Sequence, residues 1–103
     1  MTDVSRLNEL PIPPSSQMSE RANEVLRVWI NADRNMDVAL KSAFADPAAW
    51  GVLLVDIARH VSRAYEGDGE FQEAEALERI REGFDAEWDR PSDIGRTSAM
   101  REQ

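Results

Sequence analysis

Two short segments in the first half of the chain place apolar residues at alternate positions. Residues 25–30, VLRVWI, are rich in β-branched and aromatic side chains, and residues 36–41, MDVALK, are apolar at every second position. Both patterns are typical of strands. The residues between them, NADRN, favour a turn, so the sequence predicts a β-hairpin. Its core face would carry Leu26, Val28, Ile30, Met36, Val38 and Leu40.

A helix is the alternative for the first of these segments. Its apolar residues also recur at helical spacing, and a helix here would make the protein an all-α bundle. We favour the strand because Val28 and Ile30 lose rotamer freedom in a helix. Asn23 and Asn31 also bracket a run of strand length.

Two helices are predicted after the hairpin. Asp46 can cap a helix that begins at Pro47, and apolar residues at steps of three and four continue to about residue 65, where Gly67 supplies a left-handed end. A second amphipathic helix begins near Glu70 and runs for about five turns. The core stripes of the two helices would carry Trp50, Leu53, Leu54, Ile57, Ala58, Val61 and Tyr65 in the first, and Phe71, Ala74, Leu77, Ile80, Phe84 and Trp88 in the second. The short loop between the helices makes them an antiparallel pair.

The sequence therefore predicts an α+β fold in the order ββαα, with one antiparallel β-hairpin packed on an antiparallel helical hairpin. This domain occupies residues 24–90, between an extended Pro-containing segment, 1–23, and a mobile C-terminal tail, 91–103. Val52 and Val55 widen the apolar face of the first helix. We expect its first half to be covered on two sides, by the sheet and by the second helix or a partner.

Composition agrees with one small soluble domain. The 103 residues are 42% hydrophobic and 31% charged, with no cysteine, no apolar run long enough for a membrane span and no secretory signal. We expect a cytoplasmic protein without disulfides. The net charge of -8 lies mostly in residues 66–90, which hold ten acids against three arginines. That field repels phosphate, so we expect no nucleic acid or membrane partner, whereas a basic protein surface would be attracted.

His60 is the single histidine and the first candidate for chemistry. Asp56 lies one helical turn before it, with Arg59 and Arg63 nearby, as a general base would require. A surface imidazole is the favoured interpretation, because one histidine is a weak motif. The carboxylates of the second helix likewise indicate a solvated face. We assign no catalytic, cofactor-binding or metal-binding residue.

Trp29 is the candidate for an exposed binding anchor. Strand alternation puts it with Arg27 and Val25 on the face opposite Val28, which no element of the predicted fold covers. The alternative is that residues 7–12 fold over this face.

Three strings carry a resemblance to a known family: VLRVWI, DPAAWGVLLVDIARHVSRAY and IREGFDAEW. They look like a family of small bacterial proteins classed as a domain of unknown function. The resemblance implies the same order of a hairpin and two helices, and it implies no activity and no site residue.

The sequence favours a non-enzymatic protein-interaction or self-association module. A homodimer with a continuous four-stranded sheet would cover the unpaired strand edges, and the Trp29 face would suit an unidentified protein partner. The alternative is a small-molecule-binding protein or enzyme with its site around His60 and Asp56. A concave, partly apolar pocket beside His60 would favour that alternative.

Overall fold

The computed structural model describes residues 8–92 and the backbone of residues 101–102. The elements in chain order are α1 (Pro14–Gln17), β1 (Leu26–Ile30), β2 (Met36–Lys41), α2 (Ala48–Gly67), α3 (Glu73–Asp89) and β3 (Arg101–Glu102). The predicted ββαα order and the α+β class are confirmed. The all-α alternative is wrong, because β1 pairs along its whole length with β2.

The hairpin has the register that its alternating pattern predicts. Antiparallel pairing sets Leu26 opposite Leu40, Val28 opposite Val38 and Ile30 opposite Met36, so these six apolar side chains share one face. The turn is closed by the Asn31 N–H, which donates to the Asn35 carbonyl at 2.9 Å, and Arg34 has a positive φ of 70°.

Both terminal segments contain a short element that the sequence analysis did not predict. The segment 1–23 includes the single helical turn α1, where Pro14 takes a first-turn position that needs no N–H donor. In the segment 91–103, the backbone of β3 pairs in parallel with Leu40 and Lys41 at the outer edge of β2. The rest of the predicted tail, 93–100 and 103, lies outside the described residues, as do residues 1–7.

The start of α2 follows the prediction. The Asp46 carboxylate accepts the Ala48 N–H at 2.9 Å, and Pro47 already has a helical φ of -56°. Just before this cap, the ring of Phe44 meets Trp50 edge to face with centroids 5.3 Å apart. The cap and the ring contact together hold the connection from β2 against the first turn of α2.

The end of α2 lies beyond the predicted terminator. Gly67 is still helical, and the left-handed residue is Gly69, with φ 78°. The Gly69 N–H donates to the Glu66 carbonyl and the Glu70 N–H donates to the Tyr65 carbonyl. This pair of bonds is a Schellman motif, which needs a left-handed residue one position after the C-cap. That position belongs to Gly69, because Asp68 is the C-cap.

The second helix starts at Glu73 rather than near Glu70, because residues 69–72 form the turn. The Glu66 carboxylate accepts the free Glu73 N–H at 2.9 Å and so caps α3 from the last turn of α2. Arg63 adds an ion pair to the Glu73 carboxylate at 3.5 Å. The side chains of one helix thus fix where the next begins.

The two long helices pack closely on each other, whereas the β-hairpin approaches neither of them as closely. Ser62 and Ala76 are the buried side chains of the described part of the chain. No Cα atom of β1 or β2 lies within 8 Å of a Cα atom of either long helix. Several apolar side chains of the hairpin therefore stay exposed.

Candidate interaction surfaces

The apolar side of the β-hairpin is partly open: three of its side chains are exposed, and Leu26, Val38 and Leu40 are half-buried. Ile30 is 68% exposed, Val28 48% and Met36 42%, although these residues were expected to face the core. We call the six side chains on this side the hairpin face: Leu26, Val28, Ile30, Met36, Val38 and Leu40. Such a face needs a cover, because a two-stranded hairpin alone is only marginally stable in water.

A second open apolar surface follows α2. Leu54, Ile57, Val61 and Tyr65 are spaced by three or four residues, so helical geometry aligns them on one side. Their exposed fractions lie between 37% and 45%. We call these four residues the α2 stripe. Sequence analysis placed them in the core and missed them as a surface, although the wide apolar face around Val52 and Val55 was a signal that two sides of α2 need covering.

The far end of the helical hairpin exposes further large side chains. Phe84 and Trp88 lie one turn apart on α3 and stack with ring centroids at 5.6 Å and an interplanar angle of 24°. Trp88 is 74% exposed, and Val52 and Val55 of α2 are 65% and 51% exposed. Sequence analysis assigned Phe84 and Trp88 to the core stripe, which the structure corrects.

The loop end of the helical hairpin, in contrast, is closed by its own residues. Phe71 meets Tyr65 edge to face with ring centroids 5.7 Å apart, and the Arg79 guanidinium lies over the Phe71 ring, 5.3 Å from its centroid. Aromatic and cation–π contacts of this kind favour one arrangement of the loop. This end therefore has internal partners for its large side chains.

Trp29 is less exposed than the sequence indicates. It is half-buried and borders a cavity of about 420 Å³ between β1 and the N-terminal segment. The lining residues are Asn8, Glu9, Leu10, Glu24, Leu26, Arg27, Val28, Trp29 and Ile30. The N-terminal segment thus lies beside β1, as the alternative for residues 7–12 proposed, although Leu10 itself is 86% exposed and residue 7 is outside the described part.

Arg27 anchors this arrangement electrostatically. Its guanidinium lies 2.9 Å from the Glu24 carboxylate and 2.6 Å from the Glu9 carboxylate. The hydrogen bond to Glu24 and the charges of both carboxylates raise the pKa of Arg27 above its ordinary value. Val25, the third residue of the predicted anchor, is half-buried and accepts the Lys41 N–H through its carbonyl.

The residues around His60 do not form one site. His60, Asp56 and Arg59 are exposed, and their side chains have no hydrogen-bond or ion-pair partner among residues 8–92. Arg63 instead pairs with Glu73, which gives it a structural role at the helix junction. Open cavities of about 420, 590 and 410 Å³ are lined by other residues. Within the described ranges, no three His, Asp or Glu side chains are grouped so as to hold a metal ion.

The described elements define a small α+β protein whose hairpins each keep an open apolar surface. None of the helices described is both long and apolar enough to cross a bilayer. The chain belongs to the family described as a domain of unknown function, DUF5076, whose profile matches residues 9–92. That match includes most of the N-terminal segment beside β1 and is wider than the three strings that carry the resemblance.

One solved structure extends the comparison. A protein of the photosynthetic bacterium Rhodopseudomonas palustrus CGA009, provisionally named a pyruvate dehydrogenase, is 48% identical to this chain. The match covers 91% of this chain and 94% of that one, with a TM-score of 0.69. A search of the curated proteins finds no match.

Proposed function

We propose that this protein is a non-enzymatic self-association module whose chains form a homodimer. The observation that carries the proposal is the exposure of eleven large apolar side chains on the strands and long helices. They are Val28, Ile30, Met36, Val52, Leu54, Val55, Ile57, Val61, Tyr65, Phe84 and Trp88. Contiguous apolar patches larger than a few hundred Å² are rare on monomeric proteins and mark interaction sites.

The exposed area is sufficient for a stable interface. The exposed areas of these eleven side chains sum to on the order of 1,000 Å². For scale, one whole aromatic side chain accounts for about 150–250 Å². A standard protein–protein interface takes about 800 Å² from each partner. The total open apolar area of these residues is therefore comparable to what one chain contributes to a standard interface.

Catalysis has less support. The alternative site at His60 and Asp56 would need a hydrogen-bonded pair beside a pocket, and these two side chains are exposed without a partner in the described part of the chain. No arrangement of the described side chains favours the dehydrogenase activity in the Rhodopseudomonas relative's name over binding.

The proposal is tested by the mass of the protein in solution and by a charge placed on the α2 stripe. At micromolar concentration, light scattering should give twice the chain mass of 11.6 kDa. Val61→Asp should raise the dimer dissociation constant by about 100-fold, or ~2.7 kcal/mol, because an unpaired carboxylate would be buried in the interface. Sedimentation equilibrium measures the constant.

Ala74→Asp is the matched control, since it adds the same charge at an exposed position of α3 outside the apolar surfaces. A carboxylate in the first turn of a helix is also well tolerated. The control should dimerise like the unmodified protein. A monomer mass for the unmodified chain, or equal weakening by both substitutions, would contradict the proposal.

A further inference from the structure

We infer that the two open apolar surfaces cover each other between chains: the hairpin face of one copy packs on the α2 stripe of a second copy. This inference rests on the proposed self-association and adds its geometry. By twofold symmetry the contact would occur twice, since each chain contributes one hairpin face and one α2 stripe. The partner is thus a second copy of this chain.

The reason for a reciprocal contact is that it covers both surfaces at once. Packing α2 on α2 across a symmetry axis would bury the stripe and leave Val28 and Ile30 open to solvent. Pairing two β1 edges would extend the sheet and leave the hairpin face uncovered. Only hairpin-on-helix packing supplies a second layer over the hairpin face while also burying the stripe.

The two surfaces match in length. From Leu54 to Tyr65 the α2 stripe rises about 16 Å, at ~1.5 Å per residue. From Leu26 to Ile30 the strand extends about 14 Å, at ~3.4 Å per residue. A hairpin laid along the stripe would therefore cover it without a large overhang at either end.

Charge also favours this pairing. The hairpin segment, residues 24–41, holds three acids and three bases, and α2 holds two acids and two arginines, so both surfaces belong to neutral elements. The segment α3 holds seven acids against two arginines. Packing α3 against its own copy would bring like charges together, which is costly, whereas the hairpin and α2 meet without net repulsion.

The hairpin face is not approached closely by the helices of its own chain. The Phe44–Trp50 ring contact and the Asp46 cap hold the connection from residue 44 onward. Only Ser42 and Ala43 lie between that anchor and Lys41 at the end of β2. No Cα atom of β1 or β2 lies within 8 Å of a Cα atom of either long helix, so the exposed part of the hairpin face is free for a second copy.

Because the chain has no cysteine, a thiol crosslinker can react only with cysteines introduced by substitution. Val28→Cys marks the hairpin face and Val61→Cys marks the α2 stripe, and cysteine is a mild replacement at an apolar position. The two single variants, distinguished by a tag, are refolded together and treated with a short bismaleimide. Covalent heterodimer should exceed that of the Val28→Cys and Glu78→Cys pair by about tenfold, because a fixed contact raises effective concentration.

The other outcomes separate this inference from the proposed function. If Val61→Cys crosslinks to itself and not to Val28→Cys, the protein dimerises through α2 alone, so the inference is wrong and the proposed function stands. If a double variant that carries both Val28→Cys and Val61→Cys reacts only within one chain, the hairpin packs on its own helices and the inference fails. A monomer mass with no crosslink between chains would overturn both.

Discussion

The two hairpins of this protein differ in how completely each satisfies its own groups. At the loop end of the helical hairpin, Glu66 caps Glu73, Phe71 contacts Tyr65, and Gly69 completes the helix end. The β-hairpin has a defined register and a closed turn, but among the described residues no helix covers the exposed part of its apolar face. The helical hairpin closes its loop end with its own residues, and the β-hairpin has no comparable closed end.

The difference follows from how far apart in sequence the contacting residues are. The helix junction is built from residues at most about ten positions apart, such as Arg63 and Glu73. Loop closure over so few residues has a small entropic cost, so these contacts form within the chain. The hairpin face needs a surface distant in sequence, and no Cα atom of either long helix lies within 8 Å of β1 or β2.

The largest expected effect comes from disrupting the helical hairpin at its buried seam. Ala76 is 4% exposed between α2 and α3, so Ala76→Leu adds methylene groups where there is no space and should lower the free energy of unfolding by about 1–3 kcal/mol. Urea denaturation at fixed chain concentration measures this. Ala74→Leu, at an exposed position of the same helix, should stay within about 0.5 kcal/mol of the unmodified protein. Equal losses would show that the seam is not tightly packed.

A smaller effect is expected at the helix end, where two glycines provide a matched pair. Gly69 has a φ of 78°, so Gly69→Ala should cost about 1–2 kcal/mol through backbone strain alone. No heavy atom lies within 4 Å of an added Cβ at either Gly69 or Gly67. Because Gly67 is helical, Gly67→Ala should stabilise the protein by about 0.5–1 kcal/mol. Thermal unfolding should show a lower melting temperature for Gly69→Ala and a higher one for Gly67→Ala, which would confirm Gly69 as the terminator. A stabilised Gly69→Ala variant would refute it.

The smallest effect concerns the side of the β-hairpin that carries Arg27 and Trp29, which lies beside the N-terminal segment. Arg27→Gln removes both ion pairs and should release Glu9 and the N-terminal segment from β1. The NMR signal of the Trp29 indole N–H should then shift, while those of Trp50 and Trp88 serve as internal references. In the unmodified protein, 1 M salt should move the signal the same way, because it screens exposed charges. Arg34→Gln is the control, and a shift of equal size in that variant would argue against the tether.

Short-range structure was largely predictable from the sequence. The alternation of Val28, Ile30, Val38 and Leu40 established the hairpin and its register, because side chains on a strand change sides at every residue. The Asp46–Pro47 pair established the start of α2. The end of α2 was misplaced by two residues because Gly67 and Gly69 are both suitable terminators, and only the Schellman hydrogen bonds distinguish them.

The candidate surfaces depended on the tertiary structure. An apolar face has the same sequence pattern whether its cover lies in the same chain or in another, so Leu54 and Val61 could not be distinguished from core residues. In the same way, the exposure of Trp29 depended on where residues 8–10 lie, and that position is set by the ion pair of Glu9 with Arg27 across 18 positions of the chain. The sequence by itself determined which faces are apolar, and the tertiary structure decided which of them the chain leaves uncovered.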